Sequence, residues 1–164
     1  MKEYYDVLDV FRRPTGRVRP RGEALQDGEY RNGAEIWVFN TDGRLMITRR
    51  HPEKDAHPGK WECTGGLVRS GDSTFVTILR EAEEEIGIAF APGEVRRVAT
   101  RLCGREYLDI YTARTDRTIS SLRLQPDEVI DARYVTWDEL RAMRDSGEFI
   151  SSVYERLMEF RNLL

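Results

Sequence analysis

Apolar residues recur along this chain with two periods, and the switch between them outlines the elements. Phe75, Leu79, Ala82 and Ile86 lie three or four positions apart. At about 100° per residue they share one arc of an α-helix, while Glu81, Glu84 and Glu85 fall on another. The predicted helix runs from Ser73 to Ile86, with Asp72 or Ser73 where an N-cap belongs and Gly87 where a left-handed stop favours glycine. Period two marks the strands. Tyr4 to Val10 alternates, as do Ala34 to Asn40 and Arg44 to Arg50, the latter two joined by a Thr41-Asp42-Gly43 turn. A short strand is expected from Trp61 to Thr64, and an antiparallel pair from Val95 to Leu102 and Glu106 to Ala113. Asp127 to Thr136 reads as a loop entering another strand, and the helical period returns from Trp137 to Arg144 and from Ser151 to Leu163. The Arg- and Gly-rich stretch from Phe11 to Asn32 reads as turn and loop, and His51 to Lys60 as a polar loop exposing His51 and His57. This order of elements implies an α+β domain with a mixed sheet between helices.

Composition narrows the setting. The 164 residues are 40% hydrophobic and 34% charged, which fits one globular domain with a full core. A net charge of −3, with basic residues spread along the chain, favours neither a nucleic-acid polymer nor a membrane surface as partner. There is no apolar run of membrane-spanning length, and the first twenty residues are too polar for a secretory leader. A cytoplasmic protein is therefore expected. Cys63 and Cys103 are two thiols without the close Cys or His partners of a zinc site, and a disulfide is not expected in that compartment. Cys63 reads as a small, partly buried packing residue. A homodimer is a common state of such proteins, but no interface is marked.

The chemistry concentrates on the acidic helix face. Like charges one turn apart cost about a few tenths of a kcal/mol per pair, and a hard divalent ion such as Mg2+ relieves them while meeting a substrate phosphate. The alternative is a plain solvated face. Arg49 and Arg50 end the second strand of the hairpin on opposite faces, so one of them can reach a substrate phosphate. Trp37 reads as core; Trp61, Tyr30 and Tyr107 either pack or border a ligand.

Residues 65 to 88, GGLVRSGDSTFVTILREAEEEIGI, resemble the Nudix box of the Nudix hydrolases. Gly66 opens it, Asp72 stands where the family has Glu, Arg80-Glu81 and Glu84-Glu85 hold the charged slots, and Gly87-Ile88 close it. The resemblance implies an α/β/α sandwich and hydrolysis of a diphosphate linkage in a nucleoside diphosphate derivative or a related small molecule. It implies Mg2+ or Mn2+ on Glu81, Glu84 and Glu85, with the Gly65 carbonyl joining them. Arg80 would orient Glu81, and Asp72 would be a structural acid or an outer acid near the metal. Glu81 or Glu128, with Asp127 as a neighbouring alternative, would take the water proton.

Flanking segments, among them YYDVLDVFRRPTGRVRPRGEAL and ITRRHPEKDAHPGKWE, resemble the isopentenyl-diphosphate-isomerase-like branch of the same superfamily. The box speaks against isomerase chemistry: Gly65-Gly66 occupy the place of the isomerase cysteine, and no histidine precedes His51. A catalytically silent nucleotide- or protein-binding domain is the remaining alternative.

Overall fold

The computed structural model describes residues 3–164. Its centre is strand β3 (Arg31–Phe39), and alternation along β3 explains the layering. Ala34, Ile36 and Val38 face one way, into a core with Ile78, Ala82 and Ile86 of helix α1 (Thr74–Ile86). Trp37 and Phe39 face the other way. They pack with Leu140 and Met143 of α2 (Trp137–Asp145) and with Val153, Tyr154 and Leu157 of α3 (Ser151–Phe160). A helix on each side of one sheet makes the α/β/α sandwich.

The sheet is mixed. β3 pairs antiparallel with β4 (Leu45–Arg50) through Val38 and Phe39, and with β6 (Gly65–Leu67) through Gly33, Ala34 and Glu35. Its other edge runs parallel to β8 (Glu106–Arg114), which pairs antiparallel with β7 (Arg96–Cys103). β4 also carries β5 (Trp61–Glu62) and β9 (Val129–Val135). Of the strand expected from Trp61 to Thr64 only Trp61–Glu62 forms, and Gly65–Leu67, beyond its expected end, make a second short strand, because the chain leaves β4 after Glu62 to reach β3. The last helix stops at Phe160 and tightens into a 3-10 turn over Arg161–Leu163.

The loop expected from Phe11 to Asn32 is corrected. Pro14–Pro20 form strand β2, which pairs with β1 (Tyr4–Leu8) as a separate two-stranded sheet. Most of β2 is exposed, so no alternation marks it, and its prolines sit at its two ends, where an edge strand tolerates them. Tyr5, Val7 and Leu8 are buried, and Leu8 bridges to Tyr30. Among the described residues, no helix is long and apolar enough to cross a membrane.

Candidate metal and diphosphate site

Helix α1 is fixed at both ends. The Ser73 hydroxyl, not Asp72, caps it by accepting the Val76 N–H at 3.1 Å. Gly87 ends it at φ 70°, with its N–H on the helix carbonyls. The Thr74 hydroxyl donates to Asp109 at 2.7 Å, which ties the first turn to β8. The strand entering the helix passes close beneath it. A Cβ on Gly66 would lie 2.8 Å from the Glu81 carboxyl group, and one on Gly65 would lie 2.6 Å from the Ala34 carbonyl. Glycine at both places lets a carboxylate of the helix lie against the loop backbone.

Arg80 Nη1 donates to Glu81 at 2.9 Å and to Glu84 at 3.1 Å. Arg80 thus touches two of the carboxylates on the acidic face. Its Nε and Nη2 are buried and find no partner among the described residues. Asp72 does not supply one. The loop's hydrogen bonds come from Ser70 and Gly71 to Asp6 and from the Asp72 backbone to Arg69, and the Asp72 carboxylate joins none of them.

Glu81, Glu84, Glu85 and Glu128 line one cavity of about 290 Å³ together with Gly65 and Gly66. Its basic lining residues are Arg21, Arg50, Lys54 and Arg69. Glu128 is ion-paired to Lys54. Burial raises the Glu81 pKa against the opposing charge of Arg80, with Glu84 adding to the rise. Burial raises that of Glu85 much further, and the charges facing it, Glu81, Glu62 and Glu128, are all acidic. Among the described residues no three acidic, Cys or His side chains converge into a formed ion cage, and Arg80 and Lys54 are paired with three of the carboxylates. The donor chemistry nevertheless fits a hard divalent ion: oxygen ligands, an under-compensated Glu85, and a glycine clearing beside Glu81.

A second cavity of about 370 Å³ shares Arg21, Arg50, Gly65 and Gly66 with the first. Leu108, Ile150 and Val153 form part of its wall, with Glu35, Glu62 and Glu106 among its polar groups; among the described residues its lining holds no Phe, Tyr or Trp, and His57 contributes an imidazole ring. Arg156 is held by Glu35 at 2.5 Å, and Glu35 also accepts the Trp37 indole N–H at 2.7 Å.

Of the two arginines considered for phosphate, Arg50 lines both cavities and donates to Glu62 at 2.6 Å. Arg49 lines neither and donates to the Gly59 carbonyl at 3.0 Å. Tyr30 and Tyr107 pack on each other with ring centroids 5.6 Å apart. Trp61 is core and lies under Arg133. His57 is exposed and His51 half-buried. Cys63 is fully rather than partly buried, and burial pushes its thiol pKa well up, which leaves it unsuited to proton transfer. Sequence reasoning missed Arg21, Lys54 and Arg69. Each sits in a charged loop with no periodicity to mark it.

The family model for the NUDIX domain matches residues 29–157, and the chain belongs to the Nudix family. An uncharacterized Nudix hydrolase of Listeria monocytogenes is 35% identical over 149 residues, 90% of this chain and 88% of that protein. The isopentenyl-diphosphate Delta-isomerase of Escherichia coli is 28% identical over 138 residues, 80% of this chain and 76% of that one. Among solved structures, DR0079 of Deinococcus radiodurans superposes with a TM-score of 0.76 at 23% identity, covering 90% of this chain and 91% of that one. A bifunctional NMN adenylyltransferase/ADP ribose pyrophosphatase of Francisella tularensis, complexed with AMP and a Mn ion, gives 0.61 at 15% identity, covering 79% and 41%.

Proposed function

We propose that the protein hydrolyses a diphosphate linkage in a nucleoside diphosphate derivative or a related organic pyrophosphate, using Mg2+ or Mn2+. The observation that carries this reading is the cavity in which Glu81, Glu84, Glu85 and Glu128 share one space with Arg50, Lys54 and Arg69. Carboxylates suit the cations, and the basic groups set among them suit the phosphates. Glu81, Glu84 and Glu85 would hold the metal, with the Gly65 carbonyl. Bound there, it supplies Lewis acidity and a more acidic water. Arg80 keeps Glu81 in place. Arg50 and Lys54 bind and orient the phosphates. Glu81 or Glu128 accepts the water proton, and the water oxygen bonds to one phosphorus as the bridging oxygen leaves with the other. The organic group lies in the adjoining cavity, where His57 supplies an imidazole but no Phe, Tyr or Trp is found among the described lining residues, so a base would be read chiefly by polar contacts rather than sandwiched between two rings. The same reading takes the chain as one domain acting on a small molecule in the cytoplasm.

Isomerase chemistry is disfavoured by a buried thiol and by glycines at the loop. The test is a Mg2+-dependent screen for release of phosphorylated products, read by chromatography, over nucleoside diphosphates and triphosphates, nucleotide sugars, dinucleoside polyphosphates, NADH, coenzyme A and isopentenyl diphosphate. Release abolished by Glu84→Gln in a folded variant supports hydrolysis. Rearranged isopentenyl diphosphate, or binding without turnover anywhere in the panel, refutes it.

A further inference from the structure

The family match begins at residue 29, yet two residues that line the 290 Å³ cavity, Glu3 and Arg21, come from before it. They belong to the β1–β2 hairpin, which is firmly docked. The Tyr4 carbonyl accepts the Ser70 N–H at 2.8 Å, and Asp6 accepts from the Ser70 hydroxyl and from the Gly71 N–H at 3.0 Å. Further along, Arg12 grips Asp109 through two hydrogen bonds of 2.9 and 2.8 Å. The hairpin is therefore clamped to the loop just before α1 and to the strand that anchors its first turn.

Arg21 follows the last residue of β2 and continues the ladder, its N–H donating to the Glu3 carbonyl at 2.8 Å. Its Nη1 donates to Glu3 Oε2 at 2.7 Å, and the other oxygen of Glu3 accepts from Arg69 Nε at 2.7 Å. Glu3 thus holds two arginines at fixed positions. The Arg21 charge is favoured first by Glu3 and then, at longer range, by Glu128 and Glu81. The side chain is 56% exposed, and among the described residues one of its guanidinium nitrogens finds an acceptor. A guanidinium has five N–H donors, so most of its binding capacity faces outward.

Four residues line both cavities: Arg21, Arg50, Gly65 and Gly66. A diphosphate reaching from the acidic cavity into the groove passes them, and the two arginines supply the charge there. We propose that Arg21 is a further substrate-binding residue, gripping the diphosphate together with Arg50, and that Glu3 and Arg69 are its positioning residues. This rests on the diphosphate reading above. It makes the hairpin, which lies outside the family-matched region, part of the site.

The test is equilibrium binding of inorganic pyrophosphate with Mg2+ by calorimetry, on wild type, Arg21→Ala, Arg21→Lys and Arg13→Ala. Arg13 is an exposed hairpin arginine that pairs with Asp9 and stacks over Phe11. Arg21→Ala is expected to weaken binding at least about tenfold with an unchanged melting temperature. Arg21→Lys should recover only part of this, because an ammonium cannot make the paired contacts of a guanidinium. Arg13→Ala should bind as wild type. Once a substrate is in hand, Glu3→Gln should raise KM severalfold and leave kcat unchanged. Equal binding by wild type and Arg21→Ala, or equal weakening by Arg13→Ala, overturns the role of Arg21 and leaves the diphosphate reading standing. Failure of the wild type to bind pyrophosphate overturns both.

Discussion

Asp109 and Glu85 are carboxylates at the two ends of helix α1, and their surroundings are opposite. Asp109 is buried, but Arg12, Thr74 and Thr100 all donate to it. Burial alone would raise its pKa, and these donors together bring it below the usual carboxylate value. Glu85 faces acids, and its pKa is raised well above the usual value by burial and then by Glu81, Glu62 and Glu128. A carboxylate with its donors in place holds a fold together. One kept short of positive charge stores a demand for a cation, and that asymmetry separates the structural end of α1 from its chemical end.

Removing the satisfied acid should cost most. Asp109→Ala leaves Arg12 and two hydroxyls without their acceptor, and loss of one partner of a buried pair costs about 3 kcal/mol or more. Urea unfolding should show this, with the hairpin becoming protease-sensitive. Glu85→Gln should do the reverse. The metal-free variant should be at least as stable as wild type, while turnover falls about a hundredfold. A stability loss as large as that of Asp109→Ala would erase the distinction. Glu128→Gln should lower turnover at least about tenfold, and unchanged turnover would remove Glu128 from the mechanism.

The smallest effect concerns pH. Arg19, with help from the Gln26 N–H and Arg17, holds the Glu29 pKa down to about 2 against an ordinary 4.5. A depressed acid contributes stability above its unfolded pKa and loses it as pH falls through the folded one. Wild type should therefore lose stability between about pH 4.5 and 2, and Glu29→Gln should flatten that slope in acid titrations followed by circular dichroism.

The chemical end of α1 was legible in the sequence because its information is local. The apolar arc, the cap, the Gly87 stop and the three carboxylates all lie within fifteen residues, and the Thr41-Asp42-Gly43 turn likewise announced its hairpin. The structural end was not legible. Arg12 meets Asp109 across 97 positions, and no spacing rule reaches that far. β2 escaped notice because a mostly exposed strand bounded by prolines and carrying arginines has the composition of a loop. Arg21 and Lys54 were missed for a related reason. Their partners lie in distant segments, so in the sequence they are only two more charges.

The parallel pairing of β3 with β8 has a consequence for how the chain is made. Arg31 and Glu106, the first partners in that ladder, are 75 positions apart. At about 5–20 residues per second, the ribosome delivers the second strand roughly 4–15 s after the first. During that interval β3 has one edge uncovered, with Ile36, Trp37 and Val38 at its middle, and α1 has emerged before the Asp109 that anchors it. Contacts closing so long a loop form slowly, and an open apolar strand edge invites pairing with other chains. Nascent-chain aggregation should therefore depend on how quickly β8 arrives, and a translational pause placed between the two strands should lower the yield of folded protein.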